Sequence, residues 1–256
     1  MIDTDTITVY WSPATYLLDQ KESWSQLYAE PQSLFKQLRD KQHKDSGFNN
    51  LFACPATKPI LEKTFVVSVN HGSTVELPTD YLQTIAYTDS KDEIINVTGN
   101  RPLIVKKARA SSLTGYSNLV YNMQWLFFAD EPLIMRQTPP YMPPHSVGEG
   151  VILASGEYDI GQWFRALNLD YHVPFTTSTL TFASGDPLMY LEFKTSKKII
   201  FKRFNVNQPL FALAVESASS ATRYSPFKSL NERYAIAKRS LLREQVLFEI
   251  KKSLIE

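Results

Sequence analysis

Three groups of residues in this 256-residue chain have the types and spacing that could do chemistry. The first is His145 and Glu149, followed by Gly156. Neutral imidazole and carboxylate on adjoining strand positions are donors that suit iron, manganese or zinc. A protein metal site ordinarily needs at least three such ligands. The pair therefore predicts one divalent transition metal only as an alternative; the main expectation is no cofactor. The second group is Asp159, Trp163 and Arg165. A guanidinium among aromatic rings can clamp a carboxylate or phosphate, or stack on a base. The same arginine could instead close an ion pair with Asp159 or Asp170, and two acids so near favour that structural role. The third is Cys54, in Leu51-Phe52-Ala53-Cys54-Pro55. A nucleophilic cysteine needs a histidine base, or a cation or dipole that lowers its pKa. No sequence pattern supplies one, so Cys54 is expected to be a buried structural residue. Among the other histidines, His43 and His71 read as surface residues and His172 stands alone.

The elements that must position these residues are mostly strands. Ile7 to Trp11 has β-branched and aromatic content, and Ser12-Pro13 ends it. Glu30-Pro31 predicts the start of a helix with Leu34, Phe35 and Leu38 on its apolar face, stopped by Gly47. Thr64 to Val69 reads as a strand, as do Ile94 to Thr98, Leu103 to Lys106, Trp125 to Ala129 and Leu133 to Arg136. Pro139-Pro140-Tyr141-Met142-Pro143-Pro144 favours extended backbone. It is a possible sub-boundary at 139–144, but strand-rich flanks favour a stiff crossing inside a single domain, 1–256. Beyond it, Trp163 to Val173 alternates with a period of two and predicts a central strand with Leu167, Leu169 and Tyr171 facing the core. Thr179 to Phe182, Pro187 to Phe193 and Ile199 to Val206 follow at similar spacing. The chain end changes period: Leu230, Tyr234, Ala237, Leu241, Gln245 and Phe248 predict one face of a helix of about 25 residues. The fold expected is mainly β (α+β): an antiparallel β-roll or sandwich with an N-terminal helix and a long C-terminal helix.

Composition sets outer limits. Lysine and arginine total 27 against 26 acids, a net charge of +1, which excludes a whole-chain polyanion binder. From Arg223 to Glu256 the chain carries eight basic and four acidic residues, so nucleic-acid contact through the C-terminal helix is an alternative, though a solvated face is favoured. With a single cysteine no intrachain disulfide can form. No run approaches the ~18 apolar residues of a membrane helix, and the first residues do not resemble a secretory leader. We therefore expect a soluble, intracellular protein without a membrane partner. Glycine is only 9 of 256, and no dinucleotide-binding, P-loop, nucleophile-elbow or zinc-protease motif occurs.

Two resemblances add to this. His145, Glu149 and Gly156 resemble the second half of the first cupin motif, whose histidine and glutamate hold a metal inside a β-roll. The chain departs from that pattern: Pro143 stands where the family has its first histidine, and the second motif has no counterpart. The resemblance implies a cupin-like metal enzyme using His145 and Glu149. Separately, Tyr10-Trp11-Ser12-Pro13, Leu27-Tyr28 through Leu34, Leu51 to Pro55, Phe127-Phe128-Ala129-Asp130-Glu131-Pro132-Leu133, Gly161-Gln162-Trp163-Phe164-Arg165 and Gly185-Asp186-Pro187-Leu188 stand in an order that resembles uncharacterised proteins of large tailed phages, of the marine myovirus type. That resemblance implies phage origin and expression in the bacterial host cytoplasm, with no mechanism attached. The expectation is a phage accessory protein, in the host cytoplasm or alternatively virion-associated, that binds a partner or small ligand without catalysis. Asp159, Trp163 and Arg165 are its candidate ligand-binding residues.

Overall fold

The computed structural model describes residues 5–14, 27–42, 54–68, 70, 72–77, 86–87, 104–110, 113–142, 147–219 and 242–255. Two β-sheets pack face to face, and each carries a pair of short helices on its outer face. The first sheet contains β1 (Thr6–Pro13), β6 (Ile104–Ala110), β7 (Tyr116–Ala129), β9 (Ile152–Leu153), β11 (Ala166–Pro174) and β14 (Lys198–Arg203). Its order is β14-β1-β7-β11-β9, with β6 also paired to β7. The second sheet contains β2 (Gln32–Ser33), β3 (Thr64–Ser68), β8 (Ile134–Thr138), β10 (Gly156–Asp159) and β13 (Pro187–Phe193), in the order β10-β8-β13-β3-β2. A small third sheet joins β4 (Ser73–Glu76), β5 (Ala86–Tyr87) and β12 (Thr179–Phe182). The pairings are antiparallel except one: β1 and β14 run parallel, from Thr6↔Lys198 to Trp11↔Arg203.

Alternation decides which side chains meet between the sheets. On β11, Leu167, Leu169, Tyr171 and Val173 are buried, while Ala166, Asn168, Asp170 and His172 are half-buried. Those leucines join Val9, Trp11, Trp125 and Phe127 of the first sheet, and Val67, Met135, Met189 and Leu191 of the second, in one apolar cluster. Burying each such side chain is worth roughly 1.5–3 kcal/mol. The other face of the first sheet presents Tyr10, Leu126 and Phe128, which pack with Leu210, Ala214, Val246 and Ile250 of the helices α3 (Gln208–Ser219) and α4 (Leu242–Lys252). The outer face of the second sheet packs Val66 and Tyr190 against Leu34 of α1 (Leu34–Gln42) and Leu61 of α2 (Lys58–Lys63).

Each sheet takes strands from both sides of the proline run: β7 pairs β11, and β8 pairs β13. The described part of the run lies on the outer face of the second sheet. Tyr141 meets Tyr190 edge-on at 4.9 Å, and the Tyr190 hydroxyl donates to the Met142 carbonyl at 3.5 Å.

The helices depart from expectation. Pro31 does not open α1, because Gln32 and Ser33 first pair with Val66 and Phe65 of β3. The helix starts only at Leu34, where the Ser33 hydroxyl accepts the Lys36 N–H at 3.4 Å, as an N-terminal cap does. At the chain end the described helix is 11 residues, Leu242–Lys252, not about 25. The positions Leu230, Tyr234, Ala237 and Leu241 lie outside the described residues. The predicted inner face was also rotated: Gln245 and Phe248 are exposed, and Val246 and Ile250 are buried. The seam that docks follows Leu242, Val246 and Ile250, four residues apart, which keeps one helical face on Phe128 and Phe164. The predicted strands at Ile94 to Thr98 also fall outside the described residues. No described helix is long and apolar enough to cross a membrane.

Candidate functional site

Trp163 and Arg165 are not on a strand, as their alternating context predicts; β11 begins only at Ala166. They belong to a turn that Asp159 organises. The Asp159 carboxylate accepts the Gly161 N–H at 3.2 Å, and its carbonyl accepts the N–H groups of Gln162 at 3.2 Å and Trp163 at 2.9 Å. An aspartate bonding the backbone two residues on is a turn-former. Gly161 is required here because a Cβ would lie 2.5 Å from the Glu131 carbonyl oxygen and 2.6 Å from Pro132 Cα. The turn is then fastened to α4: Arg243 Nε donates to the Gly161 carbonyl at 2.9 Å, and its Nη2 donates to the Asp130 carbonyl.

Beside this turn is a cavity of about 350 Å³. It exists because β9 is short. β9 pairs only with Tyr171 and His172 of β11, so from Ala166 to Asp170 that edge has no strand beside it among the described residues. The chain then leaves β9, crosses through Ala154 and Ser155, and joins the other sheet as β10. Residues from both faces of β11 therefore reach the cavity. Its floor is apolar, with Phe127, Met135, Ile160 and Leu167. Trp163, Tyr158, Asn168, Asp170 and Arg165 line the rest.

A polar relay holds the two sheets in register under the site. The Tyr158 hydroxyl donates to Gln137 Oε1 at 3.2 Å, and Gln137 Nε2 donates across to the Asn168 carbonyl at 3.3 Å. Gln137 is fully buried, so these bonds answer its desolvation. Gln124 Nε2 donates to Asn168 Oδ1 where the pairing of β11 with β7 shifts register between Leu167 and Leu169. Such bulges re-aim side chains and recur beside functional sites.

Arg165 is half-buried on the cavity wall and makes no hydrogen bond or ion pair with any described residue. The expected pairing with Asp159 or Asp170 does not occur. Asp159 is turned to the backbone and does not line the cavity, although it positions the two residues that do. Asp170 does line the wall, with its carbonyl accepting the Ala154 N–H at 2.8 Å. Sequence reasoning thus found Trp163 and Arg165 but missed Tyr158, Asn168 and Gln137. Asp170 stood out only as an ion-pair partner for Arg165, and only the polar alternation on β11 hinted at Asn168.

His145 lies outside the described residues, as do His43 and His71. Glu149 is exposed between Gly148 and Gly150, both at positive φ. No group of three or more histidine, cysteine or carboxylate side chains that could hold a metal occurs among the described residues. Cys54 is a free, half-buried thiol, not a fully buried one. The Thr57 hydroxyl, and then the N–H groups of Ala56 and Thr57, hold its pKa below the ordinary value. On α4, Lys251 and Lys252 are exposed, but Arg243 points inward to the two turns. No protein-family model matches the chain, and no curated protein matches it.

Proposed function

We propose that this chain is a non-catalytic binding protein whose ligand is a small organic anion with an apolar body, anchored by Arg165. One observation carries the reading: an unpaired guanidinium on the wall of a cavity with an apolar floor. Arginine presents two parallel N–H donors that match a carboxylate or phosphate, and a low-dielectric wall strengthens the pairing. Trp163 and Tyr158 supply ring surface, and Asn168 supplies an amide that can fix orientation. A few polar groups set over an apolar floor is the common make-up of small-molecule sites. The resemblance to proteins of large tailed phages supports an accessory role in the infected bacterial cytoplasm or in the virion.

Thermal denaturation with 3-phenylpropionate tests this on wild type and Arg165→Lys. A ligand at 100 times its Kd adds about 2.7 kcal/mol. At ~2–4 °C per kcal/mol for a chain of this size, the midpoint rises by about 5–11 °C. The rise should be largely lost in Arg165→Lys, which keeps the charge but not the fork. No rise in wild type, or an equal rise in both proteins, overturns the proposal.

A further inference from the structure

A second cavity, of about 390 Å³, opens where the end of β13 turns into β14. Phe65, Phe193 and Ile199 form its apolar surface. The two rings sit in a fixed cluster with Phe201: Phe65 is 5.7 Å from Phe193 and 5.0 Å from Phe201, both edge-to-face. Phe193 is only 5% exposed, so the apolar surface open to the cavity is that of the half-buried Phe65 and Ile199.

The charges around this surface are unequal. Glu62, Lys63, Lys197 and Lys198 all line the cavity. Lys197 is already committed, with its ammonium 2.8 Å from both carboxylate oxygens of Glu131. Glu62 faces Lys58 at 3.8 Å, one helical turn away. The ammonium groups of Lys63 and Lys198 have no partner among the described residues. The wall is thus left with two uncompensated cations, one from the last turn of α2 and one from the first residue of β14. The backbone around the second is held firm: Lys198 N–H donates to the Asp5 carbonyl at 2.8 Å, and Lys197 N–H donates to the Thr195 hydroxyl at 3.1 Å. Ser33 and Ser196 add hydroxyls. A concave surface on which cations outnumber carboxylates, over a low-dielectric floor, concentrates counter-ions. Compact ammonium charges with hydroxyl donors suit the three oxygens of a phosphate better than the flat edge of a carboxylate.

We infer that this cavity is a second binding site, for a phosphate monoester carried on a flat ring. The phosphate lies between Lys63 and Lys198, and the ring lies on Phe65 and Ile199. The site is separate from the Arg165 cavity and does not depend on it.

Isothermal titration with phenyl phosphate, inorganic phosphate and phenol tests the inference. Phenyl phosphate should bind about tenfold or more tighter than either half alone, because both parts of the site are then used. The double variant Lys63→Ala/Lys198→Ala should lose at least about tenfold in affinity. Both side chains are exposed, so the fold is expected to persist. Ser196→Glu, which sets a carboxylate on the wall without removing a lysine, should weaken binding in the same direction. In Arg165→Lys, where the other anion site is removed, phenyl phosphate should still bind, and that binding should be lost when Lys63→Ala/Lys198→Ala is added. Undetectable binding to wild type overturns the inference. So does undiminished binding in both lysine and serine variants, or the absence of any phenyl phosphate binding in Arg165→Lys, which would place the ligand in the other cavity alone.

Discussion

Replacing Leu169 by alanine tests whether β11 is a load-carrying wall between the two sheets. Leu169 is fully buried, and its neighbours in the cluster come from both sheets. The substitution removes three carbons; at ~0.8 kcal/mol per methylene, the lost transfer energy is about 2.4 kcal/mol. The space left behind adds about 24 cal/mol per Å³ of residual cavity. Collapse is restricted here, because Leu169 is paired with Tyr121 of β7 and flanked by the Gln124–Asn168 and Gln137–Asn168 bonds. We therefore expect a loss of about 3–4 kcal/mol, within the ~2–5 kcal/mol span of buried leucine truncations. Urea melts followed by tryptophan fluorescence would read this as a lower midpoint with an unchanged slope. The thermal midpoint should fall by about 6–16 °C. Ile200→Ala is the control: Ile200 is 39% exposed on the edge strand β14, and its truncation should cost less than half as much. A loss below about 1 kcal/mol at Leu169 would refute the reasoning. It would mean that the alternation on β11 does not define the buried face.

Gly161→Ala should destabilise by about 1–3 kcal/mol, since its Cβ would press on backbone atoms of Glu131 and Pro132 that no rotamer change can move. The same variant should weaken 3-phenylpropionate binding, and unaltered melting and binding would count against the fixed turn. Stability should also fall with rising pH from 10 toward about 12. Burial pushes the Tyr190 phenol up from its ordinary 10.0 to about 12, and burial raises Tyr28 and Tyr171 as well. The unfolded chain releases these protons near pH 10 while the fold retains them, so stability is intact below 10 and declines above it. Tyr190→Phe should flatten part of that decline in urea midpoints measured from pH 9 to 12; an unchanged slope would contradict it.

Much of the β architecture was legible from β-branched and aromatic content at regular spacing, and on β11 from a period of two in burial. Thr179 to Phe182 and Pro187 to Phe193 are strands at the predicted bounds. The core face of β11 is the predicted one. Helices were less legible, for two different reasons. At Pro31 a local signal for helix entry lost to tertiary pairing, since Gln32 and Ser33 complete an edge of the second sheet. At the chain end, a stripe drawn through Gln245 and Phe248 fitted helical spacing as well as one drawn through Val246 and Ile250. Only docking against Phe128, Phe164 and Leu210 selects between them.

The site was half legible, and the missing half is a matter of edges. Arg165 stood out as a fixed cation among aromatic residues, and its local acids made an ion pair the natural expectation. Sequence proximity cannot show that Asp159 is already taken by the backbone of its own turn, nor that Arg165 faces a gap. That gap is made by two chain segments at once. β9 stops after two residues, and the chain crosses to the opposite sheet before covering Ala166 to Asp170. Neither event leaves a composition signal. The same holds at the second cavity, where Lys63 and Lys198 are 135 positions apart in the chain and meet only because β3 and β14 face each other across Phe65 and Phe201. The two proposed sites therefore rest on which charges remain after the local pairs are closed. Lys197 pairs with Glu131 and Lys58 with Glu62, whereas Arg165, Lys63 and Lys198 have no charged partner among the described residues. A cation left uncompensated beside an apolar cavity wall is stabilised by any anion that fits, so the unpaired residues mark where binding should be sought first.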